Sequence, residues 1–213
     1  MSKSQKGTYI GAAGGAAAGA AIGKAAGNTA MGAILGAVVG GAAGYGIGRY
    51  MDKQAEELKK DLEGAEIERV GEGIKITFRE GIQFPTDSYT VSEASKTNLQ
   101  DLAKTLQKYK DTNILIEGHT DVTGSREHNM KLSDERADAV SQYLESLGVD
   151  SKRVTNKGYG PDQPVGDNNT DYGRQQNRRV EVAIFANDKL KKKAEKGELG
   201  EVTADEGKKT NDN

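Results

Sequence analysis

Residues 113–140, NILIEGHTDVTGSREHNMKLSDERADAV, restrict the possible folds more than any other stretch of this chain. The segment opens in strand alternation. Ile114, Ile116 and Gly118 fall on one side, Leu115, Glu117 and His119 on the other, and β-branched residues are frequent. Thr123-Gly124-Ser125 brings turn chemistry. Leu132, Ala137, Val140, Leu144 and Leu147 then recur at helical spacing. Asp121 stands just past the strand, and Arg136 follows fifteen residues later on the helix. A carboxylate and a guanidinium that converge across one loop can pair with each other. They can also hold a zwitterion, its ammonium on Asp121 and its carboxylate in the Arg136 fork.

The flanking segments extend the same plan. Residues 67–78 alternate as a strand with Gly71-Glu72-Gly73 as a turn inside it. Residues 92–109 form an amphipathic helix with Leu99, Leu102, Ala103, Leu106 and Tyr109 inward. Residues 153–158 read as a further strand. Residues 178–185 are the last strand, with Val180, Val182 and Ile184 on one face. The loop between them, 160–173, is rich in Pro, Asp, Asn and Gly and depends on contacts for its order. Strands alternating with helices at this length imply an α+β or α/β sandwich of one sheet and two or three helices.

The ends of the chain differ from this middle. Residues 1–50 hold 14 of the 28 Gly, with no Asp or Glu. Gly7, Gly11, Gly15, Gly19, Gly23 and Gly27 recur every four residues, and Gly32, Gly36, Gly40, Gly44 and Gly48 repeat the pattern. That spacing lays each set along one helix face, where bare backbone lets another helix come close. Gly27-Asn28 stops the first run and Thr29 caps the second, so residues 1–49 read as a helical hairpin. Each run is near the minimum length for spanning a bilayer. Residues 50–66 continue the second helix into solvent as a charged stalk, with one weak apolar stripe at Met51, Ala55, Leu58 and Leu62. Residues 67–186 are the globular domain, and 187–213, with seven Lys and seven acids, are expected to be disordered.

Composition removes several function classes. There is no Cys, which excludes disulfides, thiol catalysis and Cys-based zinc sites. Residues 51–186 carry 19 cations against 25 acids and few aromatics, which argues against a nucleic-acid surface. His119, Asp121 and His128 make a weak metal signal without a fourth ligand, so no metal or other cofactor is expected. No nucleophile elbow, zinc-protease motif or phosphate loop is present, and the expectation is a binding protein rather than an enzyme.

The spacing G-H-T-D-x-x-G-x-x-x-x-N-x-x-L-S-x-x-R-A, from Gly118 to Ala137, resembles the OmpA-like C-terminal domain shared with peptidoglycan-associated lipoproteins. G-Y-G-x-x-x-P from Gly158 and N-R-R-V-E from Asn177 fall where that family places them, and the resemblance covers roughly residues 70–186. The glycine runs resemble the glycine-zipper segments found ahead of such domains. The resemblance implies a βαβαββ-like α+β sandwich with one mixed sheet. It also implies non-covalent anchoring of the outer membrane to peptidoglycan, from the periplasmic face of a Gram-negative envelope. Asp121 and Arg136 would grip the diaminopimelate side chain of the stem peptide, with Asn129 on the ligand and Thr120 and Leu132 as pocket walls. Phe84 lies in the loop from Gly81 to Ser88 that resembles the family's wall of the site, where Pro85 replaces the family's acid. Arg179 would add a second cation, leaving Arg178 structural; strand alternation lets only one of them face the pocket. His119 would support the loop. The membrane would be held by the hairpin or by an upstream lipid anchor on a segment preceding the present Met. An alternative is an envelope assembly protein whose zipper forms homo-oligomers.

Overall fold

The computed structural model describes residues 29–78, 84 and 88–199. The first glycine run, Pro85 to Asp87 and the chain beyond 199 lie outside the described residues. The elements in order are α1 (Thr29–Gly36), α2 (Gly41–Asp61), β1 (Ala65–Val70), β2 (Gly73–Phe78), α3 (Glu93–Lys108), β3 (Thr112–His119), α4 (Arg126–Ser146), β4 (Val154–Gly160), α5 (Asp171–Asn177), β5 (Val180–Ala186) and α6 (Asp188–Glu195). A 3-10 turn, Ser151–Arg153, leads into β4. The five strands form one mixed sheet in the order β1-β2-β5-β3-β4. Only β3 and β4 are parallel, as the intervening helix α4 requires.

The strand alternation divides the two faces. Ile114 and Ile116 of β3 join Val180, Val182 and Ile184 of β5 and Ile74, Ile76 and Phe78 of β2 on the inner face. Leu99, Leu102 and Leu106 of α3 and Ala137, Val140 and Leu144 of α4 close over it. Ser92 caps α3 and Ser125 caps α4, each hydroxyl accepting an amide three residues on. The outer face carries Leu115, Ala183 and Phe185, and α1 lies there with Ala30, Ile34 and Ala37.

Three expectations are corrected. The second glycine run is two helices, because the chain bends at residues 37–40 and Gly40 and Gly41 take positive φ of 74° and 63°. Glu72, at the tip of the β1–β2 hairpin, accepts the Val39 and Gly40 amides at 2.8 Å and holds the bend. The segment read as a stalk in solvent lies in α2, which buries Ile47, Met51, Ala55 and Leu58 against the inner-face core. The weak apolar stripe is enough, since α2 shares that sheet face with α3 and α4. The segment read as a disordered tail begins with α6, where Leu190 and Ala194, four residues apart among lysines, pack into the same core. The Asn187 side chain caps it, and Lys189 and Lys193 pair with Asp111. Helix α5 starts at a Thr170 cap, in the last residues of the 160–173 loop.

Among the described residues, no helix is long and apolar enough to cross a membrane.

Candidate functional site

The site lies at the end of the sheet where β3 finishes and β5 begins. Helix α4 has to lie hard against β3 and β4 to bring Arg136 there, and two glycines permit it. A Cβ on Gly118 would stand 2.1 Å from the Ser133 carbonyl oxygen, and one on Gly158 would stand 2.2 Å from the Asp134 amide nitrogen. The Ser133 hydroxyl accepts the Gly160 amide at 2.8 Å, tying helix to strand.

The loop after β3 is braced from inside. The Asp121 carboxylate accepts the Thr123 amide at 2.7 Å. The Asn129 side chain donates to the Asp121 and Thr123 carbonyls at 3.3 and 2.9 Å. Thr120 hydroxyl donates to the Asp121 carbonyl at 2.9 Å. The other Asp121 oxygen accepts Arg178 Nη1 at 2.5 Å; the Asp121 side chain is 9% exposed and that of Arg178 48%. Burial pushes the Asp121 carboxyl up, but the bonds from Arg178 and Thr123 outweigh it and hold the group below its ordinary range. It stays an anion at the mouth of the site.

Arg136 takes other partners. Its Nε donates to the Ser88 carbonyl at 3.0 Å, and its guanidinium lies 5.0 Å from the Phe84 ring centroid. Leu132, one turn earlier on α4, is buried. Exposed Tyr89 and Val122 flank Ser88 and Asp121 in sequence.

Residues 83–178 match the OmpA family, and residues 10–55 match the glycine zipper. This chain carries an OmpA-family domain behind a glycine-zipper segment. It is 37% identical over 141 residues to the probable lipoprotein YiaD of Escherichia coli, covering 65% of this chain and 64% of that protein. It is 41% identical over 98 residues to the peptidoglycan-associated lipoprotein of Buchnera aphidicola, covering 46% of this chain and 57% of that one. It thus spans less than two thirds of either relative. Among solved structures, the cell wall anchor of the T6SS from Pseudomonas aeruginosa superposes with a TM-score of 0.55 at 29% identity, covering 64% of this chain and 97% of that one.

Within the OmpA-family domain, Thr120, Asp121 and Asn129 are joined by hydrogen bonds in the loop after β3, while Arg136 is tied to Ser88 and Phe84. Asn129 donates its amide group to the loop backbone on both sides of Val122. Arg179 departs from the expectation. It is buried on the outer face, where its Nε donates to Glu181 at 2.6 Å, while Arg178 reaches Asp121. The signal was available: Arg179 shares strand parity with Glu181 and Ala183, whereas Arg178 shares that of Val180.

The expected weak metal group also regroups. His119 joins Glu117 and Glu181, with ligand atoms all within 4.8 Å of one another. Arg179 and Lys75, the latter 3.9 Å from Glu181, stand in the same cluster. Arg179 and Lys75 already balance the Glu181 carboxylate, and burial keeps Glu117 protonated, so the cluster does not fit a metal centre.

Proposed function

We propose that the OmpA-family domain binds peptidoglycan through the distal zwitterion of diaminopimelate. In this reading the zipper segment and any lipid anchor hold the outer membrane, so that the chain links membrane and wall in the periplasm. The observation that carries this reading is Asp121, a largely buried carboxylate kept ionised by Arg178, a half-exposed partner that can swing away. A ligand ammonium replaces that guanidinium at little cost, because one cation is exchanged for another. Arg136, steadied by Ser88 and Phe84, presents its guanidinium to the ligand carboxylate. The names of the relatives, a peptidoglycan-associated lipoprotein and a cell wall anchor, support the same assignment.

Lysine in place of diaminopimelate lacks the second charge and leaves Arg136 without its ligand partner. A hydrogen bond to a charged group contributes roughly 1.5–3 kcal/mol. The lysine stem peptide should therefore bind at least about tenfold more weakly. Calorimetry of the full chain with the two tripeptides at one salt concentration tests this, and equal affinities would exclude the zwitterion clamp. Asp121→Ala and Arg136→Ala should each lose about 2–5 kcal/mol of binding while the fold persists. Retained binding by both variants to isolated sacculi would remove the site assignment.

A further inference from the structure

The outer face of the sheet is covered by α1, but part of what lies there is unsuited to permanent burial. Beside the apolar patch of Leu115, Ala183 and Phe185 sit Glu117 and His119, 0% and 1% exposed. All four of their side-chain polar atoms lack a hydrogen-bond partner. The Ala30 amide of α1 and the Tyr159 hydroxyl approach Glu117 without closing a hydrogen bond of normal geometry. The Tyr159 ring stacks on His119 at 5.7 Å. His119 Nε2 and Glu117 Oε2 face each other at 3.9 Å, too far for a hydrogen bond, and buried carboxyl and imidazole groups without hydrogen bonds oppose the burial that the apolar patch favours.

The joint ahead of α2 is equally conditional. The four-residue glycine period runs unbroken from Gly32 to Gly48, which is the pattern of one straight helix. The structure instead bends at 37–40 through two consecutive positive-φ glycines. The bend is held from outside by the Glu72 carboxylate, and a Cβ on Gly44 would stand 2.1 Å from that side chain. In this bent form Gly32 and Gly36, two members of the stripe, are buried in α1.

We propose that α1 is a releasable strap. It docks on the outer face of the sheet in the bent form, and it straightens into one helix with α2 when its glycine stripe pairs with that of a second copy of this chain. Straightening adds residues 29–40 to the N-terminal end of α2, about 18 Å of helix. It returns Glu117 and His119 to water and presents Gly32 and Gly36 to the partner helix. The length of the tether between the zipper and the wall-binding domain then depends on whether the zipper is assembled.

Docking carries a pH signature with two arms. Burial, then Glu181, push the Glu117 carboxyl up to about 8, against the pull of the Ala30 amide, Arg179 and Lys157. A raised pKa means that the contribution to docking is full below the ordinary 4.5 and is lost as pH rises toward 8. Burial, then Arg179 and Lys75, push His119 well below its ordinary 6.5. Its contribution is present above 6.5 and is lost as pH falls below that value. Docking therefore holds a plateau between 4.5 and 6.5 and weakens on both sides.

The chain has no Cys, so spin labels can be placed on Leu35→Cys and Tyr172→Cys, both exposed positions, and their separation read by pulsed electron resonance. At pH 6 one short distance is expected. At pH 9 a second, longer population should grow by about tenfold or more, one pKa unit of differential protonation being a factor of ten. Glu117→Gln, isosteric and uncharged, should hold the pH 9 sample at the pH 6 distribution. Gly40→Ala with Gly41→Ala penalises positive φ and should favour the longer distance at pH 6. That variant should also sediment as a larger oligomer, with the melting of the rest of the domain retained. Identical distributions at pH 6 and 9, or a bent double variant, would overturn the strap. Release without association would overturn its coupling to the zipper, and loss of the whole fold with α1 would make α1 plain core.

Discussion

Arg178 and Arg179 are neighbours in sequence and lie on opposite faces of the sheet, one half-exposed at Asp121, the other buried against Glu181. Their environments set their uses. Arg179 neutralises a carboxylate under the outer face, where exchange with a ligand would need the face to open. Arg178 can be displaced. Removing it should raise the pKa of Asp121, whose carbonyl-carbon shift can be followed by NMR during an acid titration. The sign follows from linkage. A depressed carboxylate contributes stability above its ordinary value of 3.8 and loses it as pH falls, so Arg178→Ala should show a shallower acid loss of stability than the parent. Gly118 makes a separate demand at this scale. Its Cβ would press on the backbone of α4, which cannot turn aside as a side chain can. Gly118→Ala should cost about 3 kcal/mol or more in urea unfolding. Gly124, with nothing near its Cβ position but φ at 94°, should cost only the conformational penalty of about 1–2 kcal/mol.

Helix α2 is built from the segment with the most stalk-like sequence, yet Met51 and Leu58 are fully buried on the inner face. A residue on a solvated stalk tolerates truncation within about 0.5 kcal/mol. Leu58→Ala should instead cost roughly 2–5 kcal/mol, the range for a large apolar side chain lost from a core. Thermal melting of that one variant separates a packed helix from a free one. Helix α6 depends on a narrower contact. Leu190 is its only large buried side chain, and the surrounding lysines lie outward or pair with Asp111.

Among the described residues one sheet is covered by α3 and α4 from within the 83–178 family match and by segments outside it on both faces: α1 on one side, α2 and α6 beside α3 and α4 on the other. Deleting residues 187–213 should therefore do more than trim an end. Full burial of a leucine contributes about 1.5–3 kcal/mol, so the truncated chain should melt several degrees lower with its ligand affinity unchanged, the site lying at the opposite end of β5. Unchanged melting would mean that α6 does not pack in solution.

The sequence by itself determined the β3–turn–α4 unit, the inner-face strands and the family. These rest on local periodicity and on motif residues close together in the chain, such as Asp121, Gly124 and Ser125. It also set Asn129 close to Asp121, because a strand and the helix that follows it leave few alternatives. Only the tertiary structure decided which face each flanking segment covers. The stripe of Met51, Ala55 and Leu58 and the pair Leu190 and Ala194 are too short to announce a partner. Their burial depends on free sheet surface that no local pattern records. The partner of Asp121 was decided in the same way, 57 residues away in sequence, by the register that sets β5 beside β3.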